Sequence, residues 1–113
     1  MDRLDKYRDV IKKILTEYHS WATNSDIRDR ESCLVFDEVH DQYFWFLMGW
    51  QDKRKYRNIQ VHIRIKNQKI YIEDDWTEEG IANELLTEGI PKSDIVLAFH
   101  DPETRKLTEF AVA

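Results

Sequence analysis

Apolar side chains recur at steps of three and four along residues 3–22: Leu4, Tyr7, Ile11, Ile14, Leu15, Tyr18 and Trp21. That spacing predicts an amphipathic helix. Asp2 is placed to cap it, with Asp5 three residues on, close to capping-box spacing. Asp9 is spaced to pair with Lys13 on the outer face. Thr23-Asn24-Ser25-Asp26 prefer turns and predict a polar loop over 23–31. The period then drops to two. Cys33–Val39 and Tyr43–Trp50 are rich in strand formers and are expected to form a hairpin through His40-Asp41. The second of these strands, Tyr43–Trp50, is apolar on both faces, so a central position is expected, with each face covered by a helix, another sheet or a second subunit.

A further hairpin carries its own register. Ile59, Val61, Ile63 and Ile65 alternate with Gln60, His62, Arg64 and Lys66, and Asn67-Gln68 turns the chain into Lys69–Glu73. A two-residue loop places Lys66 opposite Lys69, Ile65 opposite Ile70, Arg64 opposite Tyr71, Ile63 opposite Ile72 and His62 opposite Glu73. Every Ile then meets an Ile, and Arg64–Tyr71 falls on the other face as a cation–π candidate. A slip of one residue would put isoleucines on both faces.

Residues 77–88 are predicted to be a second helix, with Ile81, Ala82, Leu85 and Leu86 on one face. Glu78 and Glu79 would sit in its first turn, Thr77 or Asp75 would cap it, and Gly89 with Pro91 would stop it. A short apolar strand, Ile95–Phe99, a turn at His100–Glu103 and a last strand, Leu107–Val112, complete the chain. The expected class is α+β in one domain over 1–113: an N-terminal helix, an antiparallel meander of about four strands, a second helix and short C-terminal strands.

Composition narrows this reading. The chain has 113 residues, 35% charged and 42% hydrophobic, with four Trp, three Gly and two Pro. A chain of this length can bury enough surface to fold without disulfide or metal. Disordered, collagenous and membrane-spanning classes are excluded. Cys33 is the only cysteine and the N-terminus has charges where a signal peptide needs an apolar run, so a cytoplasmic protein is expected.

The net charge of −5 is unevenly spread. Residues 51–72 carry seven cations against Asp52, net +6, and residues 73–90 carry seven anions and no cation, net −7. The plainer expectation is that the two blocks neutralise each other in the fold. The sharper one is a basic and an acidic patch that each face a partner. The run Lys53, Arg54, Lys55, Tyr56 and Arg57 is the best nucleic-acid candidate, because cations interleaved with an aromatic can grip phosphate and stack a base. Against it stands the acidic total.

Other chemistry finds less support. His19, His40, His62 and His100 have no zinc-motif spacing, and folding could gather only His62, Glu73 and Asp74. Cys33 lies among apolar neighbours and reads as a structural thiol. The acidic runs name no catalytic pair, and no phosphate-binding glycine loop is present. No cofactor, metal site or catalytic residue is expected.

Gly49-Trp50, Val61-His62-Ile63 and Lys69–Ile72 resemble the XisI family, as do Thr77–Leu85, Gly89–His100 and Thr108–Ala113. The likeness runs through nearly the whole chain. Trp45, Phe46 and Gln68 depart from it locally. The resemblance implies a cyanobacterial fdxN element excision controlling factor, a non-enzymatic accessory to excision of a DNA element by a site-specific recombinase. It implies a partner of the XisH type and/or the recombinase itself, with any DNA contact indirect, and it brings no catalytic residues to carry over; the longest apolar run, Phe44–Trp50, is too short for a membrane span, so no membrane partner is expected. An antitoxin-like role beside an XisH-type partner is also compatible. The alternative is a direct DNA-binding module using Lys53, Arg54, Lys55 and Arg57. A hydrolase built on the acid cluster ranks last. The two apolar faces of Tyr43–Met48 raise the further expectation of a homo-oligomer.

Overall fold

The computed structural model describes residues 2–23 and 30–113. The expected loop at 23–31 falls mostly outside them. Where the chain is next described it is already strand, from Arg30 onward.

Helix α1, Arg3–Thr23, buries Tyr7, Val10, Ile11, Ile14 and Leu15. Asp2 caps it as expected: its Oδ1 accepts from the Asp5 amide at 2.8 Å. Two details differ from the sequence reading. Trp21 is exposed, because Tyr18 fills the last core position and Trp21 rests edge-on against that ring at 5.2 Å. Lys13 turns away from Asp9 to reach Glu88 at 2.6 Å, while Asp9 meets Lys12 at 3.8 Å.

Five strands follow: β1 Arg30–Asp37, β2 Gln42–Gln51, β3 Arg54–Lys66, β4 Lys69–Asp75 and β5 Ile95–Leu97. They lie in the order β1-β2-β3-β4-β5. The first three pairings are antiparallel and β4–β5 is parallel. A parallel neighbour needs a crossover, and helix α2, Ile81–Thr87, lies within it. α2 packs on α1 and β4, so both helices cover one face of the sheet. Tyr43, Trp45, Val61, Ile63, Ile65, Ile70 and Ile72 meet them in a single core.

The fold is therefore α+β, and the expected register of the β3–β4 hairpin holds from Lys66–Lys69 back to Ile63–Ile72. Asn67 and Gln68 both have positive φ, 52° and 63°, as a two-residue hairpin loop demands. The register shifts at the next step. Glu73 is the extra residue of a bulge, so His62 faces Asp74. Arg64 bends to Glu73 at 3.6 Å, and it is Lys66 that stands over the Tyr71 ring, at 5.6 Å.

The second helix is shorter than 77–88. The Asp75 carboxylate accepts from the Thr77 amide and hydroxyl and from the Ile81 amide at 2.7 Å, and Thr77 Oγ1 accepts from the Gly80 amide. Side-chain acceptors that satisfy the backbone locally compete with helix, so Glu78 and Glu79 stay outside it. Asp75 still serves the first helical N–H from a distance. Gly89 ends α2 at φ 91°, with its amide on Leu86 O and that of Ile90 on Leu85 O.

The C-terminus also departs from expectation. A one-turn helix α3, Pro102–Arg105, is capped by Asp101. Arg105 binds the carbonyls of His100, Ala98 and Val112. These contacts hold residues 98–112 in a compact turn, leaving only Ala111 to pair, with Val96.

Candidate interaction surface

Strand β2 alternates cleanly. Tyr43, Trp45 and Leu47 face the helices and the core. Phe44, Phe46, Met48 and Trp50 face the other way, where Val35 and Cys33 of β1 lie opposite Phe44 and Phe46. A second bulge decides what β3 adds. Trp45 pairs with Val61 but Phe46 pairs with Ile59, so Gln60 is the extra residue. Ile59 therefore leaves the isoleucine face expected from simple alternation and joins Phe46 on the open side. Over β1–β3, none of the described helices covers this side.

His62 anchors the centre of the open face. Its ring stacks on Phe44 at 4.0 Å with an interplanar angle of 13°, and its Nε2 meets Gln42 Oε1 at 2.8 Å. Burial pushes the imidazole below its ordinary value, opposed by the charges of Glu73 and Asp74 and assisted by Arg64. Between β3 and the end of β4 opens a notch of about 670 Å³ lined by Arg57, Asn58, Ile59, Gln60, Asp74 and Trp76. Trp50, Ile59 and Trp76 are all exposed.

The basic run is not a loop. Asp52 and Lys53 form a tight turn at φ 51° and 66°, and Arg54, Lys55 and Arg57 belong to β3. Strand alternation separates them. Lys55, opposite Trp50, and Arg57, opposite Met48, point to the open side, and Arg54 and Tyr56 point to the helix side. Lys53, Arg54, Lys55 and Arg57 form no ion pair among the described residues, and neither do Asp74, Glu78 and Glu79. Arg64–Glu73 is the one ion pair among the described residues between the two charge blocks. The expected mutual neutralisation thus gives way to separated charge, because β4 pairing ends at Val61–Asp75 while Arg54, Lys55 and Arg57 lie further along β3, opposite β2 alone.

Other candidate groups are held structurally. Cys33 is half-buried, and burial followed by the charge of Glu31 pushes its thiol up. Ser32 Oγ meets His19 Nδ1 and accepts from Trp45 Nε1, each at 2.8 Å. Sequence spacing did not reveal this pair; the Ser32 hydroxyl bridges the imidazole of α1 and the indole of β2 and ties the helix to the sheet. Three phenols clamp carboxylates around the core. Tyr7 donates to Asp94, Tyr18 to Glu84 at 2.6 Å and Tyr43 to Asp41 at 2.9 Å. Burial and the neighbouring carboxylate raise each phenol, Tyr7 to about 12. Arg8 also grips Asp41 through Nε at 2.8 Å and holds that carboxyl below its ordinary value. Among the described residues, no group of three or more His, Cys, Asp or Glu side chains is placed to hold a metal ion. Among the same residues, no helix is long and apolar enough to cross a membrane.

The chain is similar to known proteins along nearly its whole length. The XisI protein family matches residues 1–112. The chain belongs to the XisI family. A crystal structure of fdxN element excision controlling factor XisI from Anabaena variabilis ATCC 29413 is 41% identical, with a TM-score of 0.86 over 99% of this chain and 100% of that one. An XisI-like protein from the same organism is 34% identical, with a TM-score of 0.90 over 98% of this chain and 100% of that one. No curated protein sequence matches the chain.

Proposed function

We propose that this protein is an accessory factor in the control of DNA-element excision by a site-specific recombinase, and that it acts by binding other proteins and not by catalysis. The excision role is supported by family membership and by the 41% identical neighbour that carries the name of an excision controlling factor. The mode of action is carried by one observation. Trp50, Ile59 and Trp76 stand exposed on and beside a sheet face that the chain's described helices leave uncovered. Exposed apolar surface of this kind marks contact with another protein chain, and Lys53 and Arg54, exposed at the β2–β3 turn without an ion-pair partner among the described residues, add a charged point of contact away from that face. The partner for the excision role is an XisH-type protein or the recombinase. The test is co-purification of the full chain with each, with and without element DNA. Capture of either partner, weakened when Lys53 and Arg54 at the β2–β3 turn are changed to Ala, is expected. Failure to capture either, or turnover of DNA by the purified protein alone, would overturn the reading.

Direct DNA binding is the second reading, favoured by four cations that form no ion pair among the described residues at one end of the sheet. It ranks lower because strand alternation divides them between two faces.

A further inference from the structure

Two kinds of unfinished surface lie side by side on the open face. One is apolar. Val35 is 47% exposed, Ile59 42%, Trp50 58% and Trp76 76%, with half-buried Phe44 and Phe46 between them. The other is charged, and both signs are present. Arg57 and Asp74 flank the notch that holds Ile59 and Trp76, both project to the open side, and neither has an ion-pair partner among the described residues. Lys55 extends the basic side along β3, and the exposed Glu78 and Glu79 follow Trp76 in sequence. A surface that carries an apolar strip between an unpaired cation and an unpaired anion is complementary to itself.

We propose that a second copy of this chain covers the open face in a two-fold dimer, each Arg57 meeting the partner's Asp74 across the Ile59 notch. In an isologous interface one patch faces its own copy, so any contact between two different residues occurs twice. A two-fold axis lying in the open face and crossing the notch midway between Arg57 and Asp74 carries each onto the other. The same operation brings Ile59 and its neighbours over their own copies. The apolar strip supplies the burial, and the two reciprocal ion pairs fix the orientation. Face-to-face pairing leaves Lys53 and Arg54, at the tip and on the helix side, accessible to the excision partner. The dimer does not rest on the excision reading. A dimer that captures no partner and a monomer that captures one are distinct results.

Charge exchange tests the pairing, since Arg57 and Ile59 are exposed and Asp74 is half-buried at the notch, and circular dichroism checks that each variant keeps the fold. Sedimentation velocity on the full chain from about 1 to about 100 µM should show a reversible dimer that weakens with salt. Arg57→Glu alone sets a carboxylate against Asp74 at both reciprocal pairs, and Asp74→Arg alone sets a guanidinium against Arg57 at both. Each variant should raise the dimer dissociation constant by about tenfold or more. An equimolar mixture of the two variants restores opposite charges at one of the two pairs with the signs reversed, and leaves the native arrangement at the other, so the heterodimer should form preferentially. Ile59→Asp should abolish dimers of either kind. A wild-type chain that stays monomeric at the highest concentration would overturn the proposal. So would a wild-type dimer that both single variants leave intact, or a mixture that fails to rescue them.

Discussion

Ile63 lies directly opposite Ile72, yet the next residue along β3, His62, lies opposite Asp74 and not Glu73. The bulge at Glu73 lets the carboxylate reach Arg64 and leaves His62 beside Phe44 on the open face. One inserted residue thus closes the isoleucine core and begins the open face of the sheet.

The isoleucine pair sets the first prediction. Ile63 and Ile72 are both fully buried against α1 and α2. Ile63→Ala should lower the unfolding free energy by about 2–5 kcal/mol through lost burial and a residual cavity. Urea denaturation measures this, and a loss below about 1 kcal/mol would mean the site collapses around the smaller side chain.

Gln68 yields a gain in stability. Its φ of 63° is disfavoured for any residue with a Cβ. Gln68→Gly should raise stability by about 0.5–1 kcal/mol, relieving the backbone at the expense of an exposed bond from Arg3. A drop on thermal unfolding would show that the Arg3–Gln68 bond outweighs the backbone relief.

Much of this was legible in the chain, and the misses share a cause. Helical spacing around Ile11 and Leu15, and the Ile-on-Ile match across Asn67-Gln68, report burial directly, so the helix and the hairpin register could be read. Bulges have no such signature. Gln60 and Glu73 look like ordinary alternating positions, and each moves a neighbour to a different face or partner. Ile59 therefore read as core. Asp75 was recognisable as a cap, but its hold on Thr77 as well as Ile81, which shortens α2, depends on a loop conformation that composition does not encode. The basic run was visible in the sequence, while its division between two faces follows from the strand pairing of Arg54–Arg57.

The reach of Asp75 across that loop can be measured. Its carboxylate accepts three hydrogen bonds, from the Thr77 amide at 3.0 Å, the Thr77 hydroxyl at 2.6 Å and the Ile81 amide at 2.7 Å. Asp75→Ala should cost about 1–2 kcal/mol, as loss of a helix cap does. Hydrogen exchange should show faster opening of α2 than of α1, and uniform acceleration across the chain would point to global destabilisation instead.

His62 makes stability depend on pH. Burial holds the folded imidazole below its ordinary value of 6.5, despite the opposing Glu73 and Asp74. In the window between the folded and unfolded values the unfolded chain binds more protons, so stability rises with pH there. The contribution is complete above the unfolded value and is lost as pH falls through the folded one. Chemical denaturation between about pH 7.5 and about pH 5 should show this decline, and His62→Gln should flatten it. An NMR titration placing the folded imidazole above its ordinary value would reverse the sign and sink the prediction.

The basic end of the sheet decides between protein and DNA as the direct ligand. If Lys53, Arg54, Lys55 and Arg57 neutralised phosphates, changing all four to Ala would reduce the slope of log affinity against log salt on duplex DNA by about 0.9 for each phosphate no longer neutralised. Alternation argues against four simultaneous phosphate pairings, since Lys55 and Arg57 face away from Arg54. The rest of the chain would repel phosphate, because without these four cations its net charge of −5 becomes −9. The quadruple variant is therefore expected to leave the weak DNA binding of the free protein unchanged while reducing capture of the excision partner. Fluorescence anisotropy with element DNA, read over a salt series beside a pull-down, separates the two. Tight, sequence-selective binding by the wild-type protein alone at physiological salt, abolished in the variant, would make DNA the direct ligand and reverse the order of the two readings.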